Sequence, residues 1–413
     1  MFESKSSQEY LDIMKNIQEN ILQFLEDGTD STDSFQVLEN IFKDTKIKEN
    51  KHDFLSFLHL ISKILNNYHR SHLFFSKIER ILQYFQKDIK TNLTNSEIFN
   101  IFKSNKRIIL FLIEEQILTF DEHIAKIITT TEKYVKANYP HYFQPEIQPF
   151  VNKKWFPKYD PKEIDLKTNI WVEEIQKELP ENFYEKRKKG ENDNKLCELI
   201  RNDMIKEFAI YVTQHNISSG AIIQPSIYET NPFLIKKQTE QNRNNLSLIE
   251  YAAFFGSIQI YNHLRFRNDD ADKSSLLLFA IHGYNAELIH LIEGDSNESK
   301  DAAFYESIKC HHNDFANYFL NNFLQEKEIS SENTINQSLK YYNFAFLSNK
   351  FINVNSFYNC CKFDHYKLAD YILENKNVNI NKIVIFKYLV IYNFLYLCFN
   401  SIQNQIFQWN SKT

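Results

Sequence analysis

Apolar residues recur at steps of three and four along most of the first 135 residues, which is the spacing of one face of an α-helix. One such series lies in 11–25 and another in 54–65. Turn-forming and helix-capping residues interrupt the pattern at 28–30 and at 91–94. The sequence therefore predicts several consecutive helices in an N-terminal helical region, 1–138.

The pattern changes at 139–168, where prolines and aromatic residues are concentrated. Five of the eight prolines lie between Pro140 and Pro161, and proline interrupts helices because it lacks an N–H group and clashes with the preceding turn. We interpret this segment as an extended connector that its aromatic side chains hold against the helices. Helical spacing resumes in 169–240, a helical region that also carries faint echoes of the later repeat. Its basic stretch 184–190 is predicted to be a solvated loop, with a nuclear-localisation signal as the alternative.

The clearest internal repeat is a small residue followed three positions later by a glycine. Ala253 and Gly256 form one copy, and Ala280 and Gly283 form the next copy, 27 residues later. A third copy, another 27 residues on, holds Ser307 and Cys310 at the matching positions, and two weaker copies follow, with Ser338 and then Cys360 and Cys361. Small residues are needed where neighbouring helix pairs approach closely, so each copy predicts a helix–turn–helix unit packed on the next unit.

The stretch Leu-Ser-Leu-Ile-Glu-Tyr-Ala-Ala-Phe-Phe-Gly-Ser at 246–257 and the His-His-Asn-Asp at 311–314 resemble a protist-expanded family of ankyrin-repeat proteins that includes a helical domain of unknown function. The resemblance is specific over 246–375. It implies an all-α fold, an α-solenoid of degenerate ankyrin-like helix–turn–helix repeats at 246–381 after the helical N-terminal region. Because each repeat of a solenoid contacts only its neighbours, we expect the N-terminal region to fold without the last repeats.

The resemblance also implies a function. Ankyrin arrays act as non-enzymatic scaffolds or adaptors that bind a protein partner through inter-repeat loops and exposed positions of the first helix of each repeat. In this sequence those positions are Phe254, Phe255, Ile281, His282, Ile308, Lys309, Lys340, Lys362 and Phe363. For the apolar members, packing against a neighbouring helix is the alternative. We expect no catalytic residue, no cofactor and a monomeric chain.

Composition narrows the class of fold and of partner. Only 6 of the 413 residues are glycine, which disfavours an all-β fold and glycine-rich phosphate-binding loops, and which predicts few turns with positive φ. The net charge of −5 gives no field that attracts nucleic acid. The five cysteines form no disulfide framework, and no secretory signal opens the chain. We therefore expect an intracellular protein, cytoplasmic or alternatively nuclear.

Some cysteine and histidine residues of the repeat are candidate metal ligands. Cysteine and histidine occur together in two of the repeat copies, as Cys310, His311 and His312 and as Cys360, Cys361 and His365. No Cys-x-x-Cys pair is present, and these donors belong to two different repeats. The sequence therefore predicts no metal site, because the same residues occupy positions that the repeat fills with small or turn-forming residues.

The C-terminal tail, 382–413, leaves two alternatives to a plain scaffold. Its segment 383–399 is nearly all apolar, with a length at the lower limit for crossing a bilayer. We expect it to cover the last repeat, and the alternative is a tail-anchored membrane adaptor. The other alternative is an enzyme with an unrecognised site in the N-terminal helical region, which a deep pocket with converging ionisable groups within 1–240 would indicate.

Overall fold

The predicted all-α class is confirmed. The computed structural model describes residues 7–157, 178–239, 246–266, 275–294, 300–325, 331–348 and 353–375. These residues form 24 α-helices and contain no β-strand beyond a single antiparallel bridge between Ile222 and Ser247. No helix in these ranges combines the length and the apolar character needed to cross a membrane. The tail at 382–413, with its segment 383–399, lies outside the described residues.

Short turns separate the helices of the N-terminal region. The helices are α1 (Ser7–Glu26), α2 (Thr32–Thr45), α3 (Lys51–Asn67), α4 (Phe74–Tyr84), α5 (Gln86–Asn92), α6 (Asn95–Phe102), α7 (Lys106–Glu114), α8 (Glu122–Thr130) and α9 (Glu132–Lys136). Side chains at the turns fix where the helices begin. Before α6, the Thr94 side chain accepts a hydrogen bond from the Glu97 N–H, and the Glu97 carboxylate accepts one from the Thr94 N–H. Two otherwise unsatisfied N–H groups are thus paired.

The predicted connector is helical in its described first part. It forms α10 (Tyr139–Tyr142), α11 (Gln144–Ile147) and a 3-10 turn (Gln148–Phe150), and each of these begins with a proline in one of its first two positions. The prediction of an extended segment is wrong here, because proline at a helix start sacrifices no intrahelical hydrogen bond. The prediction that aromatic side chains hold the segment in place is confirmed, since Tyr142 and Phe143 are fully buried.

Two-helix units dominate the rest of the described chain. The helices are α12 (Phe183–Lys189), α13 (Lys195–Arg201), α14 (Ile205–Gln214), α15 (Pro232–Thr239), α16 (Leu248–Phe254), α17 (Ile258–Arg265), α18 (Leu276–Gly283), α19 (Ala286–Glu293), α20 (Lys300–Lys309), α21 (Asn313–Phe323), α22 (Glu332–Tyr341), α23 (Phe357–Lys362) and α24 (Tyr366–Asn375). The stretch predicted as a solvated loop, 184–190, is helix α12 with a left-handed Gly190 at its end. Its Arg187 is buried and donates to Glu146.

The described chain divides into two compact units. The first unit contains the described residues of 1–22, 36–60 and 325–413. It therefore joins the first helices that the structure describes to the last ones. Gln18 is fully buried in α1. Its side-chain N–H donates to the Asn343 side chain at 2.8 Å, and its side-chain oxygen accepts from the Phe344 N–H at 2.6 Å. The expectation that each repeat contacts only its neighbours is wrong for this unit, because Gln18 has buried polar partners near the last helix pairs.

The second unit contains the described residues of 23–35 and 61–324. Its helices α13 and α14, α16 and α17, α18 and α19, and α20 and α21 contact each other as pairs. The first helices of these pairs also contact one another in chain order, α13 with α16, α16 with α18 and α18 with α20. Polar groups reinforce these contacts, since Ser257 donates to the Ile200 carbonyl and Asn285 to the Gly256 carbonyl.

Left-handed residues follow the first helix of successive pairs in both units; after Tyr342 the second element is the 3-10 turn Phe344–Phe346 rather than an α-helix. These residues are Asp203, Gly256, Tyr284, His311, Tyr342 and Asp364. The next residue commonly donates to the carbonyl five positions earlier, as Ser257 does to Ala252 and His312 to Ser307. Tyr284, and not Gly283, therefore corresponds to Gly256. The predicted alignment of these two repeat copies is wrong by one residue, and Ala252, not Ala253, is the position equivalent to Ala280. The prediction of few turns with positive φ is also wrong, because residues other than glycine form them.

The two repeat glycines lie against each other. A Cβ atom on Gly283 would lie 2.6 Å from the Ala253 carbonyl oxygen and 2.7 Å from the Gly256 nitrogen, and one on Gly256 would lie 2.9 Å from the Gly283 oxygen. Real Cβ contacts are longer, so a side chain at either position would push the two backbones apart. Ala253 and Ala280 are fully buried. The sequence prediction of close packing at these small residues is confirmed.

Candidate functional site

Four of the nine predicted partner-binding residues are buried within the second unit. Phe254 is 5% exposed, His282 2%, and Ile281 and Ile308 0%. Phe254 stacks on Phe233 with ring centroids 5.8 Å apart. We therefore remove these four residues from the set that could contact a partner, because the first helix of each pair packs against its neighbours on the side where they lie.

The other five predicted residues keep accessible surface. Phe255 and Lys309 are half-buried in the second unit, whereas Phe363 is half-buried and Lys340 and Lys362 are exposed in the first unit. The two exposed ammonium groups lie beside aromatic rings of their own helix ends. Lys340 Nζ is 4.9 Å from the Tyr341 ring centroid, and Lys362 Nζ is 5.4 Å from that of Phe363. Such contacts hold a long cationic side chain in a limited set of positions.

One buried cluster brings together donor atoms of three different chemical types. His282 lies near the end of α18, and Glu306 and Cys310 lie four residues apart on and just after α20, so they share one side of that helix. The His282 Nε2 atom is 2.7 Å from Glu306 Oε1, and the Cys310 Sγ atom is 3.6 Å from the same Nε2. In the described ranges, the ligand atoms of these three side chains all lie within 4.8 Å of one another.

The charges of this cluster follow from burial and from one lysine. Burial lowers the pKa of His282, which favours the neutral imidazole. Burial alone would raise the pKa of the Glu306 carboxyl, but Lys309, with His282, lowers it to about 2. Lys309 Nζ lies 2.5 Å from Glu306 Oε1. Burial raises the pKa of the Cys310 thiol well above its usual range. At neutral pH the cluster therefore holds one carboxylate, one ammonium and a protonated thiol.

The distances in this cluster resemble those of a catalytic Cys-His-Glu set, but a substrate has no open path to the thiol. Cys310 is fully buried, and a thiol that stays protonated is a poor nucleophile. A substrate would have to displace the aromatic rings around His282, which lies 4.3 Å from the Phe233 ring and 5.2 Å from the Phe254 ring by centroids. The nitrogen, sulfur and oxygen donors are instead those that a transition-metal ion uses.

The sequence missed two of these three residues as ligand candidates. The ankyrin pattern predicts a partner-facing position for His282, and no sequence motif points to Glu306. The available signal was the four-residue spacing of Glu306 and Cys310 together with a histidine at the end of the preceding repeat helix. Of the cysteine and histidine residues weighed from sequence, Cys310 belongs to this cluster, whereas His365 in the first unit pairs its Nε2 atom with the Leu339 carbonyl at 2.7 Å.

A second buried feature is a stack of histidine and tyrosine rings. His69 stacks on Tyr284 with centroids 4.6 Å apart, and Tyr284 stacks on His312 at 4.3 Å. Within the described chain, both ring nitrogens of His312 and the Nδ1 atom of His69 have no hydrogen-bond partner. Burial lowers the pKa of His69 to about 4 and that of His312 well below its usual range. Both rings are therefore neutral at pH 7.

A small cavity of about 220 Å³ lies beside α13, α14 and the bridge at Ile222. Its lining residues are Asn194, Leu196, Cys197, Tyr211, Ile217, Ala221, Ile222, Ile223 and Gln224. Cys197 is buried, and burial raises its pKa to about 12. The lining is mainly apolar and does not bring carboxylate, lysine or histidine side chains together. This cavity therefore does not provide the converging ionisable groups that an active site in 1–240 would show.

Comparisons with known proteins add no relative to this description. No protein-family model, no curated protein and no solved structure matches the chain. The resemblance of 246–375 to ankyrin-repeat proteins thus stays an interpretation of the sequence.

Proposed function

We propose that this chain is a non-enzymatic scaffold or adaptor that binds another protein, and that its helix pairs form an ankyrin-like α-solenoid. The observation that carries the proposal is the recurrence of one turn. Left-handed residues follow successive helices at steps of 28, 27, 31 and 22 residues, from Gly256 through Tyr284, His311 and Tyr342 to Asp364, and all except Tyr342 lead into a second α-helix. A succession of similar helix pairs repeats the same type of helix end along the chain.

The accessible residues at these helix ends suit a protein partner. In the first unit, Lys340 and Lys362 lie at the ends of α22 and α23 and carry a positive charge beside an aromatic ring. A partner surface that offers acidic and apolar side chains would satisfy both components. Nucleic acid fits less well, because the net charge of the chain is −5. We propose a protein partner for this surface and a monomeric, intracellular chain.

Site-specific photo-crosslinking tests this proposal. A photoreactive residue at Lys340 or at Lys362 should give the same discrete adduct with one cellular protein. The matched control is Glu374, an exposed residue on the second helix of the last pair, α24, which should give no such adduct. The double variant Lys340→Glu and Lys362→Glu should abolish complex formation with the identified partner.

The proposal would be contradicted by equal crosslinking from Glu374. It would also be contradicted if the identified partner bound the double variant as tightly as the parent chain, because the proposed helix ends would then contribute nothing. Circular dichroism of the double variant checks that it is folded, which is expected because both lysines are exposed.

A further inference from the structure

Three side chains of the second unit meet where α18 packs on α20. His282 comes from α18, Glu306 from α20 and Cys310 from the turn after α20. The imidazole and the thiol are buried, and their donor atoms lie within 4.8 Å of a carboxylate oxygen of Glu306. We propose that His282, Glu306 and Cys310 bind one Zn²⁺ ion, which would join two successive helix pairs.

The separations within the cluster can be compared with those that zinc requires. Zinc binds thiolate sulfur at about 2.3 Å and imidazole nitrogen and carboxylate oxygen at about 2.0–2.2 Å, in tetrahedral geometry. Two ligands at the tetrahedral angle are then roughly 3.6 Å apart for sulfur and nitrogen and roughly 3.4 Å apart for nitrogen and oxygen. The Cys310 Sγ atom is 3.6 Å from His282 Nε2 but also 3.5 Å from Nδ1, so it lies beside the ring and must swing towards the Nε2 lone pair to share an ion with it. The His282 Nε2 and Glu306 Oε1 atoms, at 2.7 Å, must separate by roughly 0.7 Å.

Glu306 is the ligand with the most room to move. Its side chain is 15% exposed, whereas that of His282 is 1% exposed. A rotation of the carboxylate towards solvent opens the space between oxygen and nitrogen without repacking the core. The same side gives an entry path for the ion and room for a water molecule as the fourth ligand, since three protein ligands leave one position open.

The surroundings of His282 orient its ring. The Phe233 and Phe254 rings pack against the imidazole, and the backbone of Asn67 is hydrogen-bonded to it. A backbone partner on the second ring nitrogen is the usual support for a metal-ligating histidine, because it fixes the tautomer and the direction of the free lone pair. Lys309 pairs with Glu306, its Nζ atom 2.5 Å from Oε1, and its ammonium group must give up this oxygen when the ion binds.

The donor set selects the metal. Calcium and magnesium take oxygen ligands, so a thiol and an imidazole exclude them. One sulfur, one nitrogen and one oxygen suit zinc, and the thiol becomes a thiolate when it binds. The ion would replace the proton between His282 and Glu306 and the proton of Cys310. This proposal departs from the expectation of no metal site, because that expectation considered cysteine and histidine alone.

The test uses the full chain, stripped of metal by dialysis against a chelator. The parent chain should then bind one Zn²⁺ per molecule, and its thermal unfolding midpoint should rise on adding zinc. With Co²⁺ in place of zinc it should develop a thiolate-to-cobalt charge-transfer absorption. Cys310→Ser should lose this absorption and the zinc-dependent rise of the midpoint. Cys197→Ser, at another buried cysteine of the same unit, and His290→Gln, at an exposed histidine, should retain both.

A parent chain that binds no zinc overturns the proposal by itself. So does a Cys310→Ser chain that binds zinc as tightly as the parent. If Cys310→Ser is unfolded without metal, Glu306→Gln decides, because the amide keeps a hydrogen-bonding oxygen near His282 but is a weaker metal ligand. We expect its zinc affinity to fall by at least about tenfold, and an unchanged affinity would reject the site. Photo-crosslinking at Lys340 and Lys362 does not depend on this result.

Discussion

Left-handed residues other than glycine are frequent in the described chain. They are Lys46, Gln116, Asn138, Asn182, Asp203, Asn216, Tyr284, His311, Tyr342 and Asp364. The left-handed conformation costs an L-residue about 1–2 kcal/mol. Asparagine and aspartate carry this cost most easily, but tyrosine, glutamine and lysine have no local compensation of that kind. The chain therefore stores unfavourable backbone energy at turns that glycine would relieve.

Gln116→Gly tests this residue-scale cost. Gln116 is exposed with φ of 55°, after the end of α7. Glycine removes about 1–2 kcal/mol of strain and loses about 0.4–1 kcal/mol through the greater freedom of the unfolded chain. We expect unfolding in urea to show a net gain of up to about 1.6 kcal/mol. Glu114→Gly, at the last helical residue, should instead cost about 1 kcal/mol. Equal effects of the two substitutions would contradict the strain assignment.

The histidine and tyrosine stack gives a pH dependence of known sign. In the fold the pKa of His69 is lowered to about 4, whereas in the unfolded chain it is about 6.5. The unfolded chain therefore binds the proton more tightly, so stability is fully present above about pH 6.5 and is lost as the pH falls towards 4. The loss from this one ring is up to about 3 kcal/mol.

His69→Phe separates this effect from the titration of carboxylates. Phenylalanine keeps an aromatic ring against Tyr284 and cannot bind a proton. We expect the free energy of unfolding in urea to fall less steeply between pH 6.5 and 4.5 in the variant than in the parent. The assignment fails if the two chains show the same slope over this interval.

At the scale of single residues, prediction from sequence fails where the surroundings of a side chain depend on helices that are distant in sequence. The sequence placed Ile281, His282 and Ile308 on an accessible face because the ankyrin pattern exposes those positions. In the structure the neighbouring first helices cover them. His282 could be recognised as a ligand candidate only with Glu306 beside it, and these residues are 24 positions apart on different helices.

At the scale of elements, hydrophobic spacing predicted the helices well. The alignment of the repeat was less accurate, because glycine and alanine recur at 27-residue steps while the left-handed turn residue recurs at 28 and then 27. Gly256 occupies the left-handed position, but Gly283 precedes it and serves a different purpose, the close approach of two backbones. A repeated residue type therefore does not prove a repeated structural role.

Gly283→Ala tests the close approach of the repeat elements. The new Cβ atom would lie 2.6 Å from the Ala253 carbonyl oxygen, so the two backbones must separate. We expect a loss of about 1–3 kcal/mol in the free energy of unfolding. Gly294→Ala is the matched control, because a Cβ atom there meets nothing within 4 Å and the residue has a helical φ of −71°. The control should be neutral or slightly stabilising. A Gly283→Ala chain as stable as the control would contradict the contact.

At the scale of the whole molecule, the first unit unites the first and the last helices that the structure describes. Its buried contacts include Gln18 with Asn343 and the stacked rings of His59 and Tyr342, whose centroids are 5.3 Å apart. Lys367 and Asp53 form an ion pair at 3.5 Å. No repeat pattern or composition shift links segments so far apart in sequence. Sequence patterns alone therefore predict a linear arrangement of the helices, and they do not reveal the contacts between these distant segments.

A pair of truncations tests the union of the chain ends. Truncation after Asn322 removes α22, α23 and α24, so Gln18 loses both of its buried hydrogen-bond partners. Unsatisfied buried polar groups are costly, and the segments 7–22 and 36–60 also lose the apolar surface that covers them. We expect amide hydrogen exchange in these two segments to become fast. Truncation after Asn375 leaves all three helices in place and should preserve their protection. If 7–22 exchanged equally slowly in both truncated chains, the N-terminal helices would be stable without the C-terminal ones, as a linear array of neighbouring repeats requires.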